Sequence, residues 1–269
     1  MPFDQKRING PESSLLYTQF IDNDNKFQGK NLYSKGKRVD GRERQEHRKH
    51  AFLLNTISKA KGSCYIENGN TKIICAVFEL REIPRISKYS EKGQIYCDFK
   101  YAAFSRRMRK SNDENEEKLM STNIRTALES TVCLHEFPNY QIDLYVMVLE
   151  DDGAVLATAI NGSGLAFIDA SIQCYGIITS TSASIINGEI FIDPTSEEER
   201  LKNDTNKSKS ANLTLSSISS MDQIPQVFFH GLADLSLIKS AKEKILDTNK
   251  THVLYFKKLL SNKIANVRA

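Results

Sequence analysis

The chain has 269 residues, 40% of them apolar and 26% charged. That is ordinary globular usage, large enough to bury a core without disulfide or metal staples, and it excludes wholesale disorder. The formal charge of +4, from 37 basic and 33 acidic side chains, excludes a histone-like polycation, so any nucleic-acid surface must be a local patch.

Residues 1–36 are polar and rich in Asn, Asp, Lys and Gly. They read as an extension that lies along another surface or is loose alone. The opening residues lack an apolar run, so no secretory signal is expected. A charged block follows from Lys35 to Lys49, with Arg38, Arg42, Arg44 and Arg48 against Asp40, Glu43 and Glu46. It reads as a solvated basic helix turn. His47 and His50 stand three apart within it, but no Cys, Asp or Glu at zinc-like spacing completes a ligand set, so no metal is expected.

The folded pattern starts near Ala51. Ser63–Glu67 and Thr71–Phe78 are β-branched runs split by Asn68-Gly69-Asn70, which predicts a hairpin because the turn needs φ > 0. Gln94–Phe99 reads as a strand. Phe104-Ser105-Arg106-Arg107-Met108-Arg109-Lys110 is the densest basic cluster. Guanidinium groups pair phosphates and stack on bases, and the neighbouring aromatic faces accept bases of any sequence. Arg106, Arg107, Arg109 and Lys110 are therefore the candidate RNA-contacting residues.

A polar loop, 110–117, leads to a helix of about 15 residues, with Met120, Ile124, Ala127, Leu128 and Thr131 at helical spacing. Gln141–Glu150 is a dense apolar run, predicted as a strand buried on both faces. After Asp151-Asp152-Gly153 the chain becomes rich in small residues and predicts a helix buried on most sides. Its start has two Asp where an anion site would want Gly, Ser, Thr or Arg, so it reads as a self-capped helix rather than a phosphate site. Ile177–Ile186 and Glu189–Asp193 read as a hairpin about Asn187-Gly188. Residues 195–211 are a polar tract read as a surface insert, and the Glu run 197–199 within it as a solvated face. Leu213–Ile218 and Gln226–His230 are two more strand candidates. Asp234–Asn262 is a long amphipathic helix.

Five cysteines, an odd number without a C-x-x-C pair, argue against a disulfide framework or zinc site and fit a reducing compartment. No stretch has the roughly 18 apolar residues that a membrane span needs, and no Walker-type phosphate loop or nucleophile elbow is present. Strands, helix, strand, buried helix, hairpin, strands and helix make an α+β order.

Three stretches, taken in order, carry a resemblance. They are Arg38-Val39-Asp40-Gly41-Arg42, the hairpin from Lys61 to Val77, and the strand ending in Asp151-Asp152-Gly153 with its Ala-rich helix. Together they resemble the RNase PH family, over most of the chain from about Lys37. Three further stretches point within the family to a ring subunit of the eukaryotic RNA exosome: Arg7-Ile8-Asn9-Gly10-Pro11-Glu12-Ser13, Cys97-Asp98-Phe99 with the Arg cluster, and Asp193-Pro194-Thr195 with Glu197–Arg200.

The resemblance implies an α+β, RNase PH-like domain over 37–269, of two βαβ-type halves and like domain 2 of ribosomal protein S5, behind the 1–36 extension. It implies a hetero-hexameric ring of RNase PH-like subunits, S1/KH-type cap proteins, single-stranded RNA threaded to associated hydrolytic nucleases, and no membrane. It places the chain in the nucleus, nucleolus and cytoplasm. Active members hold phosphate at a Gly-Gly-Ser/Thr-Arg turn on the buried helix and use acidic residues after the late hairpin. Here Val155 or Leu156 falls at the Arg, and Glu199 and Asn212 fall at the acidic positions. Asn212 cannot serve as a general acid or an anionic metal ligand. The expectation is a non-catalytic scaffold with no catalytic residue and no cofactor. The alternatives are an active phosphate-dependent 3′–5′ exoribonuclease and a binding module outside the exosome.

Overall fold

The computed structural model describes residues 33–268, apart from 35–36, 39, 84–88, 107–113, 187, 200–209 and 222. A two-residue hairpin, β1 (Tyr33–Ser34) and β2 (Lys37–Arg38), leads into the first sheet. The hairpin crosses the expected boundary between extension and domain.

The first sheet contains β3 (His50–Leu54), β4 (Gly62–Asn68), β5 (Thr71–Val77), β6 (Arg81–Glu82), β7 (Gln94–Tyr101) and β8 (Tyr140–Glu150). The β4–β5 hairpin pairs Asn68 with Thr71. Gly69 turns the chain at φ +59°, the left-handed conformation that the Asn-Gly signal anticipated. β8 runs antiparallel to β5 and β6 and parallel to β7. The β7–β8 crossover is α1 (Glu114–Glu129), which buries Ile124, Ala127 and Leu128. This helix begins inside the stretch read as a loop. Glu114, Glu116 and Glu117 lie in its first turn, where the N-terminal dipole favours them.

β8 departs from the expectation of burial on both faces. Tyr145 and Met147 are 42% and 47% exposed, whereas Leu144, Val146 and Val148 are buried. One face packs inward and the other is open, because no helix covers it in the single chain.

The buried helix, α2 (Val155–Asp169), lies between the two sheets against β4, β5 and β9, and every residue from Val155 to Phe167 is buried. Small residues permit this contact. A Cβ on Gly62 would stand 2.2 Å from the Ala170 backbone nitrogen, and one on Gly162 would stand 2.8 Å from Ile66.

The second sheet has the order β10 (Glu189–Ile192), β9 (Ile178–Ile186), β11 (Ser210–Ile218), β12 (Val227–Gly231), antiparallel throughout. The parallel β–α–β unit therefore sits in the first half. The long helix α3 (Leu235–Arg268) covers β9 and β11 with Ala241, Ile245, Val253 and Phe256 buried. The polar tract 195–211 is structured at both ends. Residues 196–199 form a helical turn, Glu198 is buried, and Ser210 and Ala211 are buried in β11. No helix among the described residues is long and apolar enough to cross a membrane.

Candidate functional site

Two features meet where α2 begins: a cluster of buried charges and an open cleft. The charges come from the block expected to be solvated. Arg38 is 4% and Arg48 8% exposed, and neither lies in a helix. The reason is Asp193, fully buried at the end of β10 with φ +52°. Its two carboxylate oxygens accept hydrogen bonds from Arg48 Nε (2.8 Å) and Nη2 (2.7 Å), from the Arg48 backbone N–H (3.0 Å) and from Asn68 Nδ2 (2.9 Å). His47 Nδ1 stands 3.2 Å away. Burial opposes the charge on Asp193, but the Arg48 hydrogen bonds and the His47 ring hold its carboxyl well below the usual range. Arg38 donates to the Ile192 carbonyl (2.7 Å) and lies 3.4 Å from Glu198. Burial moves both partners toward their neutral forms, lowering Arg38 and raising Glu198.

Arg48 also donates to the carbonyls of Asp152 (2.8 Å) and Gly153 (3.2 Å), and the Thr71 hydroxyl donates to Gly153 (2.8 Å). These contacts fix the turn that starts α2. The turn is self-capped only in part. Ala154, in the left-handed region at φ +53°, has its N–H bonded to Glu199 Oε1 at 3.0 Å. The Gly153 N–H donates to Asp151 Oδ1 at 3.2 Å. A carboxylate from the far side of the chain thus occupies the first free N–H of the helix. Glu198 and Glu199 therefore face inward, contrary to the solvated reading of that run. Asn212 lies in β11, where its Oδ1 accepts a hydrogen bond from Ser184.

Beside this turn lies a cleft of about 650 Å³, lined by Asn70, Lys72, Phe104, Ser105, Arg106, Glu150, Asp151, Asp152, Ser196 and Glu197. Its cations are both matched. Lys72 pairs with Glu150 at 2.8 Å. Arg106 bonds Glu116 at 3.0 Å and Asp151 at 3.2 Å, and its guanidinium carbon lies 3.8 Å from the centre of the Tyr101 ring. Burial works against the Arg106 charge, yet the hydrogen bond to Glu116 and the nearby carboxylates outweigh it and raise its pKa. Of the four candidate RNA-contacting residues, Arg106 is thus at the cleft and engaged with two carboxylates. Arg107, Arg109 and Lys110 lie outside the described residues.

The sequence reading took Asp193 and Glu198 only as parts of a family stretch, not as site residues, and missed His252. His252 gave no signal, because its neighbours come from the opposite end of the chain.

A two-sheet α+β domain wrapped around a small-residue helix, with a polar turn at that helix's start, defines the class. The sequence model of the 3′ exoribonuclease family, domain 1, matches residues 46–173. A putative exosome complex component RRP41 of Caenorhabditis elegans is 34% identical over 166 residues, covering 61% of this chain and 69% of that protein. The exosome complex component RRP41 of Homo sapiens is 33% identical over 172 residues, covering 62% and 70%. The chain belongs to the RNase PH family. Among solved structures, rice (Oryza sativa) Rrp46 matches with a TM-score of 0.69 at 22% identity, over 82% of this chain and 98% of that one. A chain of an Archaeoglobus fulgidus exosome, described as having RNA bound to the active site, matches with a TM-score of 0.71 at 17% identity over 82% and 92%. At these identities the structural matches speak for the fold.

Proposed function

We propose that the chain is a non-catalytic subunit of an RNA exosome core ring, supporting 3′–5′ degradation and processing of RNA, including rRNA. In this role it threads single-stranded RNA toward associated hydrolytic nucleases. The observation that carries the reading is the Glu199 carboxylate on the Ala154 N–H. The helix N-terminus that phosphorolytic members use for phosphate is taken by an anion of the chain itself. The side chains beside it are apolar, Val155 and Leu156, where those members place Arg. A second anion at that place would meet Asp151, Asp152 and Glu199 in a confined space. The exosome names of the relatives support the ring assignment, with RNase PH-like neighbours and S1/KH-type cap proteins as partners. Within the ring, the stretches at 7–13, 97–104 and 193–200 favour the subunit called mRNA transport regulator three. The nucleus, nucleolus and cytoplasm are the compartments this role assigns.

The test has two arms. Native mass spectrometry of the chain, purified through a tag from its own cells, is expected to give a hetero-oligomer with several RNase PH-like subunits. A homo-oligomer or a lone monomer would sink the ring reading. The pure chain with inorganic phosphate and single-stranded RNA is expected to release no nucleoside diphosphates. Release that Glu199→Gln alters would instead make this chain an enzyme, as the similarity to RRP41-type proteins favours.

Arg107, Arg109 and Lys110 remain the proposed RNA contacts, with Arg106 anchoring the start of their segment to Glu116 and Asp151. Their joint change to Ala is expected to reduce the salt slope of RNA binding by the assembled ring by roughly 2, at about 0.7 per phosphate contact on a single strand.

A further inference from the structure

Five histidines are present in the chain, and three of them converge. His47 precedes β3, His50 opens it, and His252 lies on α3. Their ring centroids are 4.3 to 4.7 Å apart. One nitrogen from each ring can be chosen so that the three lie within 4.8 Å of one another. His50 Nε2 and His47 Nδ1 are 2.9 Å apart. His47 Nε2, His50 Nδ1 and His252 Nδ1 are buried with no hydrogen-bond partner. His252 is 7% exposed.

A buried polar atom left without a hydrogen-bond partner is unfavourable. Three in one cluster is an arrangement that packing alone does not reward. We propose that His47, His50 and His252 form a site for a divalent cation of the zinc class, with water completing the coordination. Modest ring rotations close three nitrogens at this separation to the ~2.0–2.1 Å of a zinc–imidazole bond.

Three further observations fit. Burial and mutual repulsion hold the pKa of His50 at about 3 and that of His252 at about 2, so both rings are neutral at pH 7 with a lone pair to give. Asp193 Oδ2 sits 3.2 Å from His47 Nδ1, the carboxylate–imidazole contact that orients a metal-bound ring. The Tyr255 hydroxyl, one turn along α3, donates to the His50 carbonyl at 3.0 Å and holds helix and strand in register. A bound ion would fasten α3 to β3 and, through His47 and Asp193, to the end of β10.

The test uses the full chain, with any polyhistidine tag removed and metal stripped by a chelator. Co²⁺ alone is the first probe. One equivalent is expected to bind and to give the intense visible absorption of a four-coordinate site of three imidazoles and water, displaced by one equivalent of Zn²⁺. His50→Asn and His252→Asn are each expected to weaken binding by more than the roughly 10- to 100-fold that loss of an outer partner causes. A readout that needs no variant is the proton NMR spectrum of the imidazoles in the native chain. Zn²⁺ should shift the ring signals of His47, His50 and His252 while those of the exposed His135 and His230 stay in place. No stoichiometric binding, or binding that leaves the His47, His50 and His252 signals unmoved, would overturn the proposal.

Discussion

At the residue scale, Asp193 decides more than any other side chain. It is the buried anion around which Arg48, Asn68 and His47 collect, and Arg48 in turn holds the turn before α2. Removing one partner of such a group leaves an uncompensated buried charge, typically costing about 3–5 kcal/mol. Asp193→Ala is expected to lower stability by that amount in urea unfolding. Glu199→Ala should cost about 0.5–2 kcal/mol, the range for loss of a helix cap. Burial pushes the thiols of Cys75, Cys97 and Cys174 up to about 12. A thiol reagent at pH 8 should leave all three unmodified in the folded chain and label them rapidly in denaturant; fast labelling without denaturant would contradict this.

At the scale of elements, α2 is where sequence and packing agree most closely. Its run of Ala, Gly and Ser predicts burial on every side, and the structure places it between two sheets. Close approach carries a consequence. Gly62 on β4 faces the Ala170 backbone, and backbone cannot move aside as a flexible side chain can. Gly62→Ala should therefore destabilise by about 1–3 kcal/mol or more, the usual range for overpacking. Gly162→Ala, which meets only the side chains of Ile66 and Cys75, should cost less. Thermal unfolding of the two variants side by side tests the ranking. The hairpins were legible for a local reason: Asn-Gly fixes a turn through the backbone of two residues. The open face of β8 was not legible, because a dense apolar run looks the same whether its second face meets a helix, another subunit or water.

At the scale of the whole molecule, much apolar surface is left uncovered. β12 is an edge strand with Val227 52% and Phe229 41% exposed, and Leu232 and Leu235 follow it at 77% and 67%. An exposed apolar edge invites pairing with another chain. In the proposed ring such an edge is where a neighbour docks. The double change Val227→Lys and Phe229→Lys should leave the isolated chain within about 0.5 kcal/mol of its stability. It should also deplete the other ring subunits from a tag purification. Unchanged co-purification would place the ring contacts elsewhere.

What the sequence determined by itself was set by near neighbours along the chain. Periodicity, Asn-Gly turns and a small-residue run gave the order of strands and helices, and the order of those pieces gave the family. Arg38 and Arg48 in the charged block, and Glu198 in the Glu run, were misread as solvated for one reason. Whether a charge is buried depends on whether an opposite charge meets it, and Asp193 and Arg38 come from distant strands. The convergence of His47 and His50 with His252 has the same origin. Only tertiary structure could decide it, because α3 must first fold back across the second sheet to reach the edge strand that His50 opens and His47 precedes.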